Sequence, residues 1–120
     1  MSTPARASRL AVEDRGDIAI AKLVDKKIVT EEAINQIGED LYSLVDELGK
    51  KRIVVSFANV EYYSSACIGR FLTLQKKVKA VGGGLVLCDV NDDIFEVFEI
   101  TRHNRTFKFA KDESAALELF

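Results

Sequence analysis

The sequence predicts a single α/β domain with a mixed sheet of four to five strands, covered by about four helices. From residue 51 onward, short apolar runs alternate with segments of helical periodicity, which is typical of parallel strands joined by crossover helices. Before residue 51, two apolar runs flank the polar residues 14–17, which indicates an antiparallel hairpin. A chain of 120 residues, 48% of them hydrophobic, is long enough to bury one core.

The N-terminal elements follow from simple patterns. Residues 1–8 are small and polar, and we expect them to form a flexible tail ahead of a domain spanning residues 9–120. Thr30, followed by two glutamates, predicts a helix start. Apolar residues then recur at helical spacing up to Gly49 and predict one buried face, made of Ile34, Ile37, Leu41, Leu44, Val45 and Leu48.

The later elements alternate between strand and helix. Strands are predicted at residues 53–57, 85–88 and 106–109, and helices from Ser64 or Ser65, from Asp92 and over residues 112–117. Gly82-Gly83-Gly84 ends the first of these helices and leads into the next strand. This helix is predicted to bury Ile68, Phe71, Leu72, Val78 and Val81 and to expose a basic side formed by Arg70, Lys76, Lys77 and Lys79.

Charge and hydropathy exclude several classes of function. A formal net charge of −2 excludes the broad basic face of a general nucleic-acid-binding protein. It does not exclude smaller basic patches. No apolar run approaches the roughly 18 residues that span a bilayer, and no secretory signal opens the chain. The expected location is therefore the cytoplasm, without membrane insertion. The triple glycine lacks the Lys-Ser/Thr ending of a phosphate-binding loop, and no cofactor is predicted.

Cysteines and acidic residues could in principle hold a metal. Cys67 and Cys88 have no metal-ligand spacing, and we interpret both as small buried residues. Asp89, Asp92 and Asp93 follow a strand, where either a metal site or a helix cap would explain them. A cap at Asn91 or Asp92, with acids in the first turn, is the favoured interpretation, and no metal is predicted.

The most informative passage is residues 60–69 (VEYYSSACIG), where a strand-like run ends in two serines and a helix begins. A hydroxyl at a helix N-terminus lies where backbone N–H groups and the helix dipole favour negative charge, so it could carry a phosphate. The simpler alternative is that Ser64 or Ser65 only caps the helix. Tyr62 and Tyr63 should point to opposite faces, with one in the core and one exposed.

This passage and its flanks resemble the STAS domain family of anti-sigma-factor antagonists, in which an Asp-Ser-Ser/Thr-Gly-x-Gly segment opens a helix and its first Ser is phosphorylated. The order of strands and helices after Arg52 is similar as well. Aligned on the turn, Ser65 takes the place of the phosphorylated serine, and Ser64 takes that of the Asp. Ala66, Cys67 and Gly69 take the places of the second Ser/Thr and the two glycines.

The resemblance implies a function without catalysis by this chain. It implies that the protein binds an anti-sigma factor that is itself a serine kinase, is released on phosphorylation of Ser65 (or, as a weaker alternative, Ser64), and is restored by a serine phosphatase. Sigma-factor-dependent transcription would be regulated in this way. The residues expected to contact the partner are Glu61, Tyr62, Tyr63, Ser64, Ser65, Cys67 and Arg70. The alternative within the same fold is a non-phosphorylated scaffold or accessory subunit of a signalling or transport assembly, in which Ser64 and Ser65 serve as caps.

A serine hydrolase is the third class considered. The Gly-x-Ser-x-Gly signature of such enzymes is absent, because Tyr63 and Cys67 stand where its glycines would be. His103 is the only histidine and is interpreted as a partly buried or surface residue. The surrounding segment 101–105 contains Arg102 and Arg105. We expect it to form a solvated loop, with a contact for an acidic partner or for phosphate as the alternative.

Overall fold

The computed structural model describes residues 9–120, and the predicted N-terminal tail lies outside the described residues. Seven strands and four helices make up the described chain. In chain order they are β1 (Leu10–Arg15), β2 (Ile18–Leu23), β3 (Lys27–Ile28), α1 (Glu31–Asp46), β4 (Arg52–Ser56), β5 (Tyr62–Tyr63), α2 (Ala66–Ala80), β6 (Gly84–Cys88), α3 (Asp92–Ile100), β7 (Lys108–Ala110) and α4 (Glu113–Leu117).

Five strands form one mixed sheet in the order β1-β2-β4-β6-β7. The β1–β2 hairpin is antiparallel, whereas β2, β4, β6 and β7 run parallel. The remaining strands, β3 and β5, form a separate two-stranded parallel pair. The predicted α/β class, the N-terminal hairpin and the parallel second half are therefore confirmed.

The two faces of the sheet bury different amounts of apolar surface. Successive side chains of a strand point to opposite faces, so in β4 Ile53 and Val55 join the large core that includes residues of α1, α2 and α3. Val54 points to the other face, where it packs with Val86 and with Ala116 of α4 in a smaller cluster. The sheet is thus covered on both sides, which explains why its central strands are apolar throughout.

Side chains cap three of the helices. Thr30 Oγ1 accepts a hydrogen bond from the Ala33 N–H (3.1 Å), and Asn91 Oδ1 accepts one from Ile94 (2.8 Å). Asp112 Oδ1 likewise accepts from Ala115 at the start of α4 (2.9 Å). The predicted caps at Thr30 and Asn91 are confirmed, and the acids beside Asn91 lie in the first turn of α3.

The triple glycine is required by two separate constraints. Gly82 has a φ of +80°, a region that L side chains rarely adopt. Gly83 packs directly on the backbone before β4, because a Cβ there would lie 1.6 Å from the Lys51 carbonyl oxygen. The adjacent Gly84 N–H donates to that same oxygen at 3.0 Å. The loop from α2 to β6 is therefore held tightly at the amino ends of the strands.

Two predicted core positions are wrong. Leu48 is 63% exposed and Val81 is 43% exposed, because α1 ends at Asp46 and α2 ends at Ala80, so the chain turns away before either residue. Leu74 is fully buried on α2 and was not among the predicted core residues. The helical pattern in the sequence extends one or two residues past the end of each helix.

Candidate functional site

The serine turn, residues 61–65, lies beyond the carboxyl end of β4. Its β5 part pairs with β3, and the Ser64 N–H donates to the Ile28 carbonyl at 2.9 Å. The Glu61 N–H donates to the Lys26 carbonyl at 2.7 Å. Backbone hydrogen bonds from a short neighbouring strand therefore hold one side of the turn.

Asn91 holds the other side of the turn. Its Nδ2 donates to the carbonyl oxygens of Val60 (3.2 Å) and Glu61 (3.4 Å), while its Oδ1 caps α3. One amide side chain thus connects the start of α3 to the serine turn.

The two serines differ in what their hydroxyls do. Ser64 Oγ accepts a hydrogen bond from the Ala66 N–H at 3.2 Å. Ser65 is the N-cap residue of α2, but its backbone is already helical (φ −59°, ψ −20°) and its side chain makes no capping hydrogen bond. The Ser65 residue is exposed. Within residues 9–120, α2 is also the one helix that has no acidic residue in its first turn.

Tyr62 and Tyr63 point in opposite directions, as predicted. Tyr62 is 52% exposed, whereas Tyr63 is 5% exposed and packs against Phe57, Phe71 and Phe98. The Tyr63 hydroxyl is buried and finds no hydrogen-bond partner in the described part of the chain. Burial raises the pKa of the Tyr63 hydroxyl well above its usual value.

Cys67 lies in the first turn of α2 and is 2% exposed. Burial raises the pKa of the Cys67 thiol to about 12. Cys88 is also buried, and burial raises the pKa of its thiol to about 12. Both cysteines are free thiols, as expected of small buried residues. The described residues contain no group of three or more side chains that could hold a metal ion.

An open groove of about 500 Å³, which we call the serine groove, separates the starts of α1 and α2. Arg70 crosses it, with Nη2 donating to Asn35 Oδ1. The Arg70 carbonyl accepts from the Tyr42 hydroxyl (3.3 Å), so contacts with α1 hold both ends of the residue. The lining is Val29, Glu31, Ile34, Asn35, Ser64, Ala66, Gly69 and Arg70. Sequence patterns did not reveal the α1 contribution, because it depends on helix packing.

The predicted site residues divide into two groups. Glu61, Tyr62 and Ser65 are exposed, and Ser64 and Arg70 are partly buried on the serine groove. The side chains of Tyr63 and Cys67 are buried and support the turn from below. His103 is partly buried, with Nδ1 3.4 Å from Thr106 Oγ1. No helix among residues 9–120 is long and apolar enough to cross a membrane.

Comparison with known proteins assigns the fold to a family. The sequence profile of the STAS domain matches residues 11–116. BtrV of Bordetella bronchiseptica, which is named as an anti-sigma factor antagonist, is 32% identical over 93 residues, covering 78% of this chain and 79% of BtrV.

Solved structures show the same architecture. An anti-sigma factor antagonist from Thermotoga maritima superposes with a TM-score of 0.75 at 22% identity, covering 92% of both chains. The antagonist SpoIIAA in its unphosphorylated form gives a TM-score of 0.77 at 17% identity, covering 92% of this chain and 95% of that one. Bacillus SpoIIAA in its phosphorylated form gives a TM-score of 0.68 at 18% identity, covering 92% of this chain and 99% of that one. With its profile match over nearly the whole described chain, this protein belongs to the STAS domain family.

Proposed function

We propose that this protein is an anti-sigma factor antagonist, and that phosphorylation of Ser65 releases it from an anti-sigma factor with serine kinase activity. One observation carries the proposal: Ser64 takes the capping hydrogen bond, which leaves the exposed Ser65 hydroxyl with no capping role. A kinase can reach such a hydroxyl without opening the helix. The names of BtrV and SpoIIAA support the class of partner.

The proposed contact surface combines the serine turn with the serine groove. Glu61, Tyr62 and Ser65 supply the exposed part, and Ser64 and Arg70 supply the groove. Tyr62 offers a large apolar ring with a polar end, which suits a protein interface. Tyr63 and Cys67 were also expected to contact the partner, and we now assign them a supporting role because both are buried.

Phosphorylation would act by charge and by bulk. A phosphate adds roughly −1.5 to −2 charge at neutral pH, and Glu61 is exposed in the same turn. A partner that covers the neutral hydroxyl would then face like-charge repulsion and the cost of desolvating the phosphate, which together amount to several kcal/mol. The domain itself need not change shape. SpoIIAA, which has the same fold, exists in phosphorylated and unphosphorylated forms.

The chemistry of phosphate transfer belongs to the partner in this scheme. The kinase supplies ATP, magnesium and the base, a phosphatase restores the binding form, and this chain needs no cofactor and is not an enzyme. We place the exchange in the cytoplasm, where a sigma factor acts. No nucleic-acid contact by this chain is required.

The first experiment is a pull-down from lysate of the source organism with wild type, Ser65→Ala and Ser65→Asp as baits, followed by mass spectrometry. We expect a kinase-like anti-sigma factor on wild type and Ser65→Ala, and its loss from Ser65→Asp. Ser114→Asp is the matched control, since it adds the same charge at an exposed serine of α4 and should keep the partner. Equal capture by all four baits would support the scaffold alternative instead.

The second experiment locates the phosphate. The captured kinase, with ATP and magnesium, should add one phosphate to wild type and to Ser64→Ala, but none to Ser65→Ala. Peptide mapping by mass spectrometry identifies the residue. Phosphate on Ser64, or persistent labelling of Ser65→Ala, would contradict the assignment.

A further inference from the structure

A second groove lies at the opposite edge of the sheet from the serine turn. It has a volume of about 440 Å³ and passes the first residues of three adjacent parallel strands: Arg52 of β4, Gly84 of β6 and Lys108 of β7. Lys79 near the end of α2 and Arg105 in the loop before β7 complete its charged rim. We call it the basic groove, defined by Arg52, Lys79, Arg105 and Lys108.

The charge of the basic groove is opposite to that of the whole protein. The chain has a formal net charge of −2, yet four cationic residues and no acidic residue line this groove. Lys79, Arg105 and Lys108 make no salt bridge within residues 9–120, and Arg52 reaches Asp17 only at 3.8 Å. The result is a local positive potential that attracts an anionic ligand.

The floor of the groove is apolar. Leu85 and Phe107 lie beneath it, and the partly exposed Phe120 ring lies beside Arg52, whose guanidinium carbon is 5.9 Å from the ring centroid. A ligand that fits this surface carries carboxylates toward the rim and an apolar side chain toward the rings.

The backbone of the groove argues against a phosphate cradle. Phosphate sites use free backbone N–H groups, but the N–H groups of Gly82, Gly83 and Gly84 all donate to backbone carbonyls. The guanidinium groups of Arg52 and Arg105 can bind either a carboxylate or a phosphate in a bidentate geometry, so it is the hydrogen-bonded backbone that favours the carboxylate. The groove passes three strand ends, which span roughly 10 Å at the usual strand spacing and match about three residues of an extended chain.

The groove is preformed and distant from the serine turn. Gln75 Nε2 donates to the Thr106 carbonyl at 3.0 Å, which connects the two walls, and Gly83 packs on Lys51. The groove lies at the amino ends of the parallel strands and the serine turn beyond the carboxyl end of β4, and a five-residue strand separates the two ends by about 15 Å. A ligand here would leave the serine turn accessible.

We propose that the basic groove binds an extended acidic segment, with an apolar residue among its carboxylates, from a partner protein. The site is separate from the serine groove, and the proposal does not depend on the phosphorylation of Ser65. It also takes up the alternative left open for the 101–105 segment, a contact for an acidic partner, through Arg105, whereas Arg102 does not line the groove. The protein would thus bind one partner at the carboxyl ends of its parallel strands and another at their amino ends.

The test uses fluorescence anisotropy with the fluorescein-labelled peptide Ser-Asp-Glu-Leu-Glu-Asp-Ser. The double variant Arg105→Glu/Lys108→Glu should weaken binding by about tenfold or more at low salt, of about 20 mM, where charge interactions reach furthest. Lys76→Glu/Lys111→Glu is the matched control, because it makes the same charge change at exposed lysines outside the groove. Its affinity for the peptide should stay much closer to that of wild type. Circular dichroism checks that both variants are folded.

Further arms separate the acidic peptide from other ligands and from the serine turn. We expect no binding of the neutral peptide Ser-Asn-Gln-Leu-Gln-Asn-Ser, and unchanged binding of the acidic peptide by Ser65→Asp. Absence of binding by wild type, or an equal loss in both double variants, would overturn the proposal. Displacement of the peptide by inorganic phosphate at lower concentrations than by unlabelled peptide would overturn it too, since the groove would then be a phosphate site.

Discussion

The serine turn before α2 and the turn before α3 both join the carboxyl end of a parallel strand to a helix, yet they are built in opposite ways. At α3, Asn91 has an extended backbone and caps the helix, and Asp92 and Asp93 occupy the first turn. At α2, Ser65 has a helical backbone, makes no capping bond and is followed by no acid in the first turn.

The two turns differ in how the helix N-terminus is capped and how its dipole is compensated. At α3, Asn91 Oδ1 accepts a hydrogen bond from the Ile94 N–H, and Asp92 and Asp93 compensate the positive end of the helix dipole. At α2, no acidic residue in the first turn compensates the dipole, and the Ala66 N–H donates to Ser64 Oγ. The two turns are nevertheless one unit mechanically, because Asn91 donates to the carbonyls of Val60 and Glu61. The cap of α3 therefore also supports the serine turn.

The largest effect is expected from Asn91→Ala. It removes the cap of α3 and also removes the donor to the carbonyl oxygens of Val60 and Glu61. We therefore expect the free energy of unfolding to fall by about 2 kcal/mol, measured by urea denaturation. Asp112→Ala is the control, since it removes only the cap of α4, away from the serine groove, and should cost about 1 kcal/mol. Asn91→Ala should also weaken binding of the proposed anti-sigma factor partner, whereas Asp112→Ala should not. Equal losses for the two variants would mean that Asn91 acts only as a cap.

The two serines provide the next test. Ser64→Ala removes the hydrogen bond to the Ala66 N–H and should lower the free energy of unfolding by about 1 kcal/mol. Ser65→Ala removes no capping bond and should change stability by less than about 0.5 kcal/mol. Urea denaturation of both variants measures the difference. The reverse order would show that Ser65 is the capping residue in solution.

The smallest effect concerns charge at the start of α2. A carboxylate at position 65 would face an uncompensated helix N-terminus, so Ser65→Asp should gain about 0.5 kcal/mol of stability at low ionic strength. Asp92→Asn makes the opposite change at α3 and should lose a similar amount. Both shifts should shrink in high salt. If Ser65→Asp instead destabilised the protein markedly, the loss of partner binding that we expect for this variant would reflect damage to the fold and not the added charge.

The sequence predicts most of the fold because its strands and helices have strong local signals. The central strands are continuous apolar runs, and Thr30 and Asn91 are caps with acids beside them. The two-residue strands β3 and β5 were not predicted as a pair, since two residues carry no periodicity and their pairing is tertiary. Leu48 and Val81 show the same limit, because a periodic pattern does not mark where the chain turns away.

The sequence also locates the candidate turn, but not its details. Which serine caps α2 depends on the backbone angles of two adjacent residues, and nothing in the residue types distinguishes them. The serine groove requires α1 and α2 to pack together, as the contact of Arg70 with Asn35 shows. The basic groove collects cations that are far apart in the chain, from Arg52 to Lys108, so no local charge pattern reveals it.

Cys67 stands two residues after Ser65, where a second nucleophilic side chain could compete for modification. The thiolate is the reactive form of cysteine, and burial raises the pKa of the Cys67 thiol to about 12. At neutral pH this sulfur stays protonated and covered, so oxidants and alkylating agents find little to react with. Because Ser65 is exposed and the Cys67 thiol is buried, we expect modification of this turn at the serine and not at the cysteine.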